Sequence, residues 1–454
     1  MKNELAYKKQ TVYEKADKSV VDAAFAYAED YKRYLDEGKT EREALKISVE
    51  MAKAKGFREY RLGDEIHAGD KLYYNNRGKN LFVFSVGKEP INNGIRITAA
   101  HIDAPRIDLK QCPLYEDGGM GFFKTHYYGG IRKYQWVATP LALHGVIALA
   151  DGRVIDVNIG EDDSDPLFYI NDLLPHLGAD QSKLPLSEGI KGEQLNILIG
   201  SIPDDDENSV KNNILNILNE KYSIREDDFL SAELCVVPAA KARDIGFDRS
   251  LIGAYGHDDR VCAYPALTAL LDSSDSVHTL MCILADKEET GSDGPTGMQC
   301  DLMLDLIDEL AKNLGGSSAA IRANSKCLSA DVSAAYDPNF PEVFEKMNTP
   351  MLGCGAVFTK FTGSRGKSGT NDANAEYIGW LRGILARDGV VWQAGELGKV
   401  DCGGGGTVAK YISKHNIETI DLGVPVISMH APYEVIAKVD LYETYRAVSA
   451  FYKY

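Results

Sequence analysis

The sequence is 454 residues long, which is enough for two or three domains and a large hydrophobic core. Hydrophobic residues make up 44% of the chain and charged residues 26%, as in an ordinary globular protein of the aqueous phase. Lys and Arg total 50 and Asp and Glu total 67, so the net charge is −17. This charge argues against nucleic acids and anionic membranes as partners.

The eight cysteines contain no C-x-x-C pair, and several lie within apolar runs. This distribution fits the core thiols of a reduced protein better than a disulfide framework. The first residues are charged and lack the apolar segment of a secretory signal. No apolar run reaches the roughly 18 residues that span a bilayer. We therefore expect a cytoplasmic protein that does not enter a membrane.

The chain begins with a segment, residues 1 to about 56, whose pattern predicts helices. Within it, Thr40-Glu-Arg-Glu43 is a capping box that opens an amphipathic stretch. Further on, residues 95–100 form a β-branched, apolar run that predicts a strand. His101 and Asp103 follow this strand directly.

Residues 107–244 differ in pattern from the segments on either side. Short β segments dominate, such as the hairpin signalled by Asp151-Gly152, and acidic loops separate them. We predict that 107–244 form a β-rich domain inserted into an α/β domain, which consists of residues 1–106 and 245–454.

From residue 245 onward, apolar strands alternate with amphipathic helices. This alternation predicts an α/β fold with a mixed, largely parallel sheet and helices on both faces. The run Val277–Ala285 is continuously apolar, as in a strand covered on both faces. At the end of the chain, Asp440 and Glu443 predict a further capping box, with Asp440 as the N-cap of the last helix.

The adjacent acids Glu288 and Glu289 follow the apolar run. Adjacent residues of a flat strand point to opposite faces, so both acids can serve one site only if the chain bends there. Thr290-Gly291 can supply that bend, since glycine adopts backbone conformations that other residues avoid.

Several titratable residues lie at or just beyond the ends of predicted strands: His101, Asp103, Asp258, Glu288, Glu289, Asp331 and His430. The carboxyl ends of parallel strands meet at one edge of a sheet, so residues far apart in sequence can converge there. Imidazole together with carboxylate suits zinc, cobalt or manganese. A shared carboxylate would let such a set hold two ions about 3.5–4 Å apart.

The same residues carry a family resemblance. The motifs that carry it occur in the order found in co-catalytic zinc aminopeptidases: His101-x-Asp103, Asp258-Asp-Arg260, Glu288-Glu289-x-Gly291, Ser329-Ala-Asp331 and Met429-His430. The motifs and the long insertion most resemble the aspartyl aminopeptidase family, peptidase family eighteen, over nearly the whole chain. The resemblance implies a zinc-aminopeptidase-like fold and a metal-dependent exopeptidase that removes amino-terminal residues, with Asp and Glu as candidate substrates.

The resemblance also implies two metal ions per chain, zinc in the first place and cobalt or manganese as alternatives. Asp258 would bridge the two ions. His101 and Asp331 would complete one site, and Glu289 and His430 the other. In relatives the peptide bond after the bridging Asp is often cis, so a cis bond is expected after Asp258.

Two further acids receive roles from the resemblance. Glu288 would be the general base that takes a proton from the water between the ions. Asp103 would hold the far ring nitrogen of His101 and so fix its tautomer.

Peptide substrates and an assembly of dimers into a dodecamer are implied as well, with the inserted domain contributing contacts. Lys360 matches a substrate-facing lysine of the family, with Arg365 and Lys367 as rivals for that position. Three alternatives remain open: an aminopeptidase of broad or neutral preference, a carboxypeptidase or deacylase with the same metal core, and a non-enzymatic assembly protein.

Overall fold

A computed structural model describes residues 5–454, so the part of the predicted helical segment at residues 1–4 lies outside the described residues. The chain divides into two compact units. The larger contains the residues up to 103, 242–429 and 434–454, and the smaller contains 104–241 and 430–433.

The helices of the described residues are, in chain order, α1 Val12–Lys15, α2 Lys18–Glu37, α3 Glu41–Ala54, α4 Leu186–Gly189, α5 Val210–Tyr222, α6 His257–Asp272, α7 Leu302–Leu314, α8 Ser318–Asn324, α9 Ala375–Arg387, α10 Ala409–Ser413 and α11 Lys438–Lys453. Within residues 5–454, no helix is both long and apolar enough to cross a membrane.

The strands are β1 Arg58–Glu59, β2 Lys71–Asn76, β3 Asn80–Ser85, β4 Ile95–His101, β5 Arg106–Asp117, β6 Met120–Tyr128, β7 Leu141–Ala148, β8 Val154–Ile159, β9 Tyr169–Ile170, β10 Ile197–Gly200, β11 Ala232–Pro238, β12 Arg243–Ile245, β13 Leu251–Ala254, β14 Thr279–Ala285, β15 Lys326–Ala330, β16 Ser333–Ala334, β17 Ala356–Thr359, β18 Trp392–Ala394, β19 Glu418–Gly423, β20 Pro425–Ile427 and β21 Glu434–Ala437.

The larger unit is built on a nine-stranded sheet of order β1-β2-β3-β14-β4-β15-β19-β17-β18. Its four central strands, β14, β4, β15 and β19, run parallel to one another. Antiparallel pairs lie to either side, between β2 and β3, β3 and β14, and β17 and β19. The predicted α/β class is confirmed, and the sheet is mixed with a parallel centre.

The strand β14 shows why a continuously apolar run is needed at the centre of this sheet. Leu280, Cys282 and Leu284 belong to one hydrophobic cluster, whereas Met281 and Ile283 belong to another. All five are fully buried. The first cluster includes residues of α2, α3, α6, α9 and α11, and the second includes residues of α7, α8 and α10. Helices therefore cover both faces of the sheet.

The larger unit also contains a five-stranded sheet, of order β12-β13-β21-β20-β16. The smaller unit contains a seven-stranded sheet of order β8-β7-β11-β5-β6-β10-β9, in which all neighbouring strands are antiparallel. The hairpin predicted at Asp151-Gly152 connects β7 to β8.

The two predicted capping boxes have different outcomes. At Thr40 the prediction is confirmed: its hydroxyl accepts the N–H of Glu43, and the Glu43 carboxylate accepts the N–H of Thr40. At Asp440 the prediction is wrong, because the N-cap of α11 is Ala437, three residues earlier. Asp440 is fully buried in the first turn, where it accepts the N–H groups of two glycines, 353 and 355, at 2.7 and 2.6 Å.

Candidate metal centre

Three neighbouring parallel strands end at one edge of the nine-stranded sheet. β4 ends at His101, which pairs in register with Ala285, the last residue of β14. On its other side, Ala99 pairs with Ser329 of β15. His101 lies two residues after Ala99, and Asp331 lies two residues after Ser329. Their side chains therefore leave adjacent strands at the same level.

Two acids reach this edge from the first turn of α6. Gly256, with φ of +74°, precedes the helix, and the peptide bond between Asp258 and Asp259 is cis. The predicted cis bond is therefore confirmed. Both carboxylates are buried, since Asp258 is 3% exposed and Asp259 is 0% exposed.

Glu288 and Glu289 lie in a turn just beyond β14. A short 3₁₀ helix covers residues 288–290, and Gly291 follows it with φ of +101°. The predicted bend is present. The backbone N–H groups of Glu288 and Glu289 donate to the two carboxylate oxygens of Asp103, at 3.1 and 3.2 Å. One buried carboxylate thus fixes the backbone of both acids.

The imidazole of His101 lies among these acids. Its Nδ1 is 2.9 Å from the carbonyl oxygen of Asp103 and 3.3 Å from the Asp103 carboxylate. Its Nε2 is 3.2 Å from Oδ1 of Asp258 and 3.9 Å from Oε2 of Glu288. When Nδ1–H donates to Asp103, Nε2 keeps its lone pair and can ligate a metal ion.

The side chains form two overlapping groups of possible metal donors. One group contains His101, Asp259 and Asp331, and the other contains His101, Asp258 and Glu289. Within each group, one donor atom from every residue lies within 4.8 Å of the others. A nitrogen with two carboxylate oxygens is a common donor set for zinc.

Comparison with known proteins identifies the family. The sequence model of one protein family, the aminopeptidase I zinc metalloproteases (M18), matches residues 34–452. The chain belongs to the M18 family. This is the aspartyl aminopeptidase family, so the resemblance found in the sequence is confirmed. The members of the family to which the chain is similar are aminopeptidases, and the chain is accordingly a metal-dependent aminopeptidase.

Sequence and structural relatives agree with this assignment. A probable M18 family aminopeptidase 1 from Clostridium acetobutylicum is 49% identical, over 99% of each chain. A crystal structure of an M18 aminopeptidase from Thermotoga maritima has a TM-score of 0.94 at 41% identity, covering 99% of this chain and 100% of that one. The dodecamer of mApe1 from S. cerevisiae shares the fold at 20% identity, with a TM-score of 0.77 and coverage of 94% and 96%.

The electrostatics of this M18 centre fit a bound cation. Burial, together with the charge of Asp258, raises the pKa of Asp259 well above its usual range. Burial and the charges of Asp259 and Glu288 do the same for the pKa of Asp331. For His101, burial lowers the pKa, but hydrogen bonds to Asp103 and Asp258 outweigh it, and the pKa is raised. Crowded buried carboxylates are costly unless a proton or a metal ion compensates them.

The distances also fit zinc. Oδ1 of Asp259 is buried and has no hydrogen-bond partner among residues 5–454, although a buried carboxylate oxygen normally has one. Two ligands of a tetrahedral zinc ion lie roughly 3.3–3.5 Å apart, since each is about 2.0–2.2 Å from the metal. The 3.2 Å between His101 and Asp258 is close to that separation.

Two residues predicted for the site, His430 and Lys360, do not belong to either donor group. His430 belongs to the segment 430–433 that groups with the smaller unit, where its Nδ1 is 3.0 Å from the carbonyl oxygen of Gly130. Its role as a metal ligand stays a prediction. The ammonium group of Lys360 pairs with Asp372, whose other oxygen lies 2.9 Å from Lys367.

One member of the donor groups was missed as a candidate ligand in the sequence. Asp259 was predicted only to follow the cis bond, yet the structure brings it to His101, whose backbone N–H donates to its Oδ2 at 3.3 Å. The signal was available, because two adjacent acids at the start of an apolar helix are as unusual as the pair at Glu288 and Glu289.

Proposed function

We propose that this M18 aminopeptidase holds two divalent metal ions at the carboxyl edge of its nine-stranded sheet, zinc with cobalt or manganese as alternatives. His101, Asp258, Glu289, Asp331 and His430 are the proposed ligands, with Asp258 shared between the ions. Two donor groups support the proposal: His101 with Asp258 and Glu289, and His101 with Asp331 and Asp259, each with its donor atoms within 4.8 Å. The shared role of Asp258 and the role of His430 follow from the family resemblance.

The proposed chemistry is hydrolysis of the first peptide bond of a substrate. When bound, the ions supply Lewis acidity, which lowers the pKa of water and polarises the scissile carbonyl. Glu288 accepts a proton as the water oxygen bonds to the carbonyl carbon, and it gives that proton to the departing amine nitrogen as the C–N bond breaks. Asp103 holds the backbone of Glu288 and the ring of His101, so base and ligand keep one geometry.

An acidic preference is the finer part of the proposal. A net charge of −17 repels acidic peptides, so recognition of Asp or Glu needs a local cation. Lys360 and Lys367 both pair with Asp372, and these three side chains together carry one net positive charge. This supports Lys360 as the contact for an acidic substrate side chain. A broad preference is the second candidate, because Asp372 already neutralises part of the charge.

Replacing Lys360 by Ala is expected to lower kcat/KM for Asp- and Glu-p-nitroanilide by about tenfold, which is the worth of one charge-assisted hydrogen bond. Hydrolysis of Leu-p-nitroanilide is expected to stay unchanged. The measurement compares the Asp-, Glu-, Leu- and Lys-p-nitroanilides in the wild type, in Lys360→Ala and in Lys367→Ala. An effect confined to Lys367→Ala moves the assignment to Lys367, and a wild type that prefers Leu rules out the acidic preference.

Assembly into a homo-oligomer, with dimers forming a dodecamer, is also part of the proposal. In the smaller unit, Leu173, Leu174, Leu177, Leu184 and Leu186 are each 45% or more exposed within a short segment. Exposed apolar patches of this kind mark interfaces between proteins. We assign the segment 107–244 to these contacts.

Light scattering is expected to give a mass of twelve chains for the wild type. Replacing Leu177, which is 69% exposed, by Asp is expected to lower the mass, because a charge would then be buried in an apolar contact. Leu62→Asp in the larger unit is the matched control, since Leu62 is 47% exposed and lies outside the inserted segment. A monomeric wild type contradicts the assembly.

A further inference from the structure

Glu434 contacts both ends of the short connection between β13 and α6, which places Asp258 at the proposed metal centre. β13 ends at Ala254, and Asp258 follows four residues later in the first turn of α6. The main chain of Glu434 in β21 pairs with Ala254. Its side-chain Oε2 accepts the backbone N–H of Asp258 at 3.1 Å. The three-residue connection between Ala254 and Asp258 is therefore closed at each end on the same residue.

A carboxylate at position 434 is energetically unfavourable unless it forms hydrogen bonds. The residue is 1% exposed, and a buried carboxylate costs free energy unless hydrogen bonds compensate it. Packing alone favours an apolar side chain here, like those of its strand neighbours Val435 and Ile436. The N–H that Glu434 accepts belongs to a residue with φ of −78° and ψ of 106°, outside the helical range. The N–H groups at a helix start have no acceptor within the helix, and Glu434 supplies one.

The residue before Asp258 is fixed independently, by uncharged partners. Nδ1 of His257 is 2.9 Å from the hydroxyl of Tyr31, and its Nε2 is 3.2 Å from the carbonyl oxygen of Ile252. A carbonyl oxygen can only accept a hydrogen bond, so Nε2–H donates to Ile252 and Nδ1 is left to accept from the Tyr31 hydroxyl. These contacts do not orient the peptide group of Asp258. Its N–H donates to the carboxylate of Glu434, and this hydrogen bond orients it.

We propose that Glu434 is a positioning residue of the metal centre. It orients Asp258 through the backbone N–H and thereby sets the affinity of the chain for its metal ions. The inference rests on the proposed function, in which Asp258 is a ligand. Replacing a group that holds a metal ligand in place typically weakens metal binding by about 10- to 100-fold.

Two substitutions separate the hydrogen bond from the charge. Glu434→Met keeps the length of the side chain but removes the acceptor, and it is expected to weaken zinc binding by about 10- to 100-fold. Glu434→Gln keeps an acceptor oxygen and is expected to stay within roughly threefold of the wild type, since a neutral acceptor retains the bond. Zinc affinity is measured on the full-length, metal-free protein by competition with a chromogenic chelator, alongside Tm and kcat.

A second buried glutamate provides the matched control. Glu443 is fully buried, and its Oε2 accepts the backbone N–H of Val391 at 2.8 Å. Glu443→Met is expected to lower Tm and to leave zinc affinity unchanged, because Val391 is not a proposed metal ligand. The contrast distinguishes control of the metal centre from a general loss of stability.

The proposal is overturned if folded Glu434→Met binds zinc as tightly as the wild type while only its Tm falls. Should that variant not fold, Glu434→Asp takes its place, because it keeps the charge but withdraws the acceptor by one methylene group. Its zinc affinity is expected to fall as well, and an unchanged affinity overturns the proposal equally. A wild type that binds no zinc refutes the proposed function instead, before any variant is compared.

Discussion

Replacing Glu288 by Gln is expected to lower kcat by at least about 100-fold while bound metal stays at the wild-type level, because general-base catalysis contributes about that much. Gln has the same shape as Glu, and its backbone N–H can still donate to Asp103. It cannot take a proton from water at neutral pH. The measurement combines kcat on a p-nitroanilide with the metal content of the same sample.

A second Glu→Gln change controls for the loss of a negative charge. Glu309 in α7 accepts a hydrogen bond from the hydroxyl of Tyr60 and has no place in the proposed chemistry. Glu309→Gln is expected to keep wild-type turnover. Near-wild-type turnover in Glu288→Gln refutes the role of Glu288, and a loss of metal in that variant makes Glu288 a ligand instead.

Replacing Asp258 by Asn is expected to lower the affinity for metal by more than about 100-fold, because Asn lacks the negative charge and the second carboxylate oxygen of a proposed ligand. That loss costs more than removal of a group that only positions a ligand. Activity should fall with metal occupancy. The effect is large because Asp258 is proposed to bind both ions. Metal content after dialysis at a fixed free zinc concentration, together with kcat/KM, measures it.

Asp259→Asn is the informative companion, because the structure brings both acids to His101. Asp259 accepts the backbone N–H of His101, and Asn retains an acceptor for that bond. Metal binding is therefore expected to be reduced far less in this variant. If Asp259→Asn loses its metal and Asp258→Asn keeps it, the shared ligand is Asp259.

Patterns within single strands and turns were sufficient to predict the elements that carry several of the candidate site residues. The continuous apolar run before Glu288 indicated a central strand, and β14 has both faces covered. His101 lies at the end of a strand that is parallel to β14, as expected for residues that converge at one sheet edge. These features depend on local sequence and on the geometry of parallel sheets.

Features that depend on distant partners could not be predicted in this way. Asp440 has the sequence pattern of an N-cap, but its carboxylate accepts two N–H groups from a loop about 85 residues earlier in the chain. Lys360 has the sequence position of a substrate contact, but its pairing with Asp372 depends on how the loop folds. The bond from Asp258 to Glu434 joins positions 176 residues apart, and nothing in either segment indicates it.

The most direct test of the metal-dependent aminopeptidase mechanism is metal removal from the wild-type protein, followed by readdition. Metal content is measured by mass spectrometry, and release of p-nitroaniline from Asp-, Glu-, Leu- and Lys-p-nitroanilide is followed before chelation, after it, and after adding zinc, cobalt or manganese. We expect two ions per chain, loss of hydrolysis when they are removed, and recovery when they return. Hydrolysis that survives complete metal removal, or a chain that binds no ion at all, contradicts the assignment of the centre at His101.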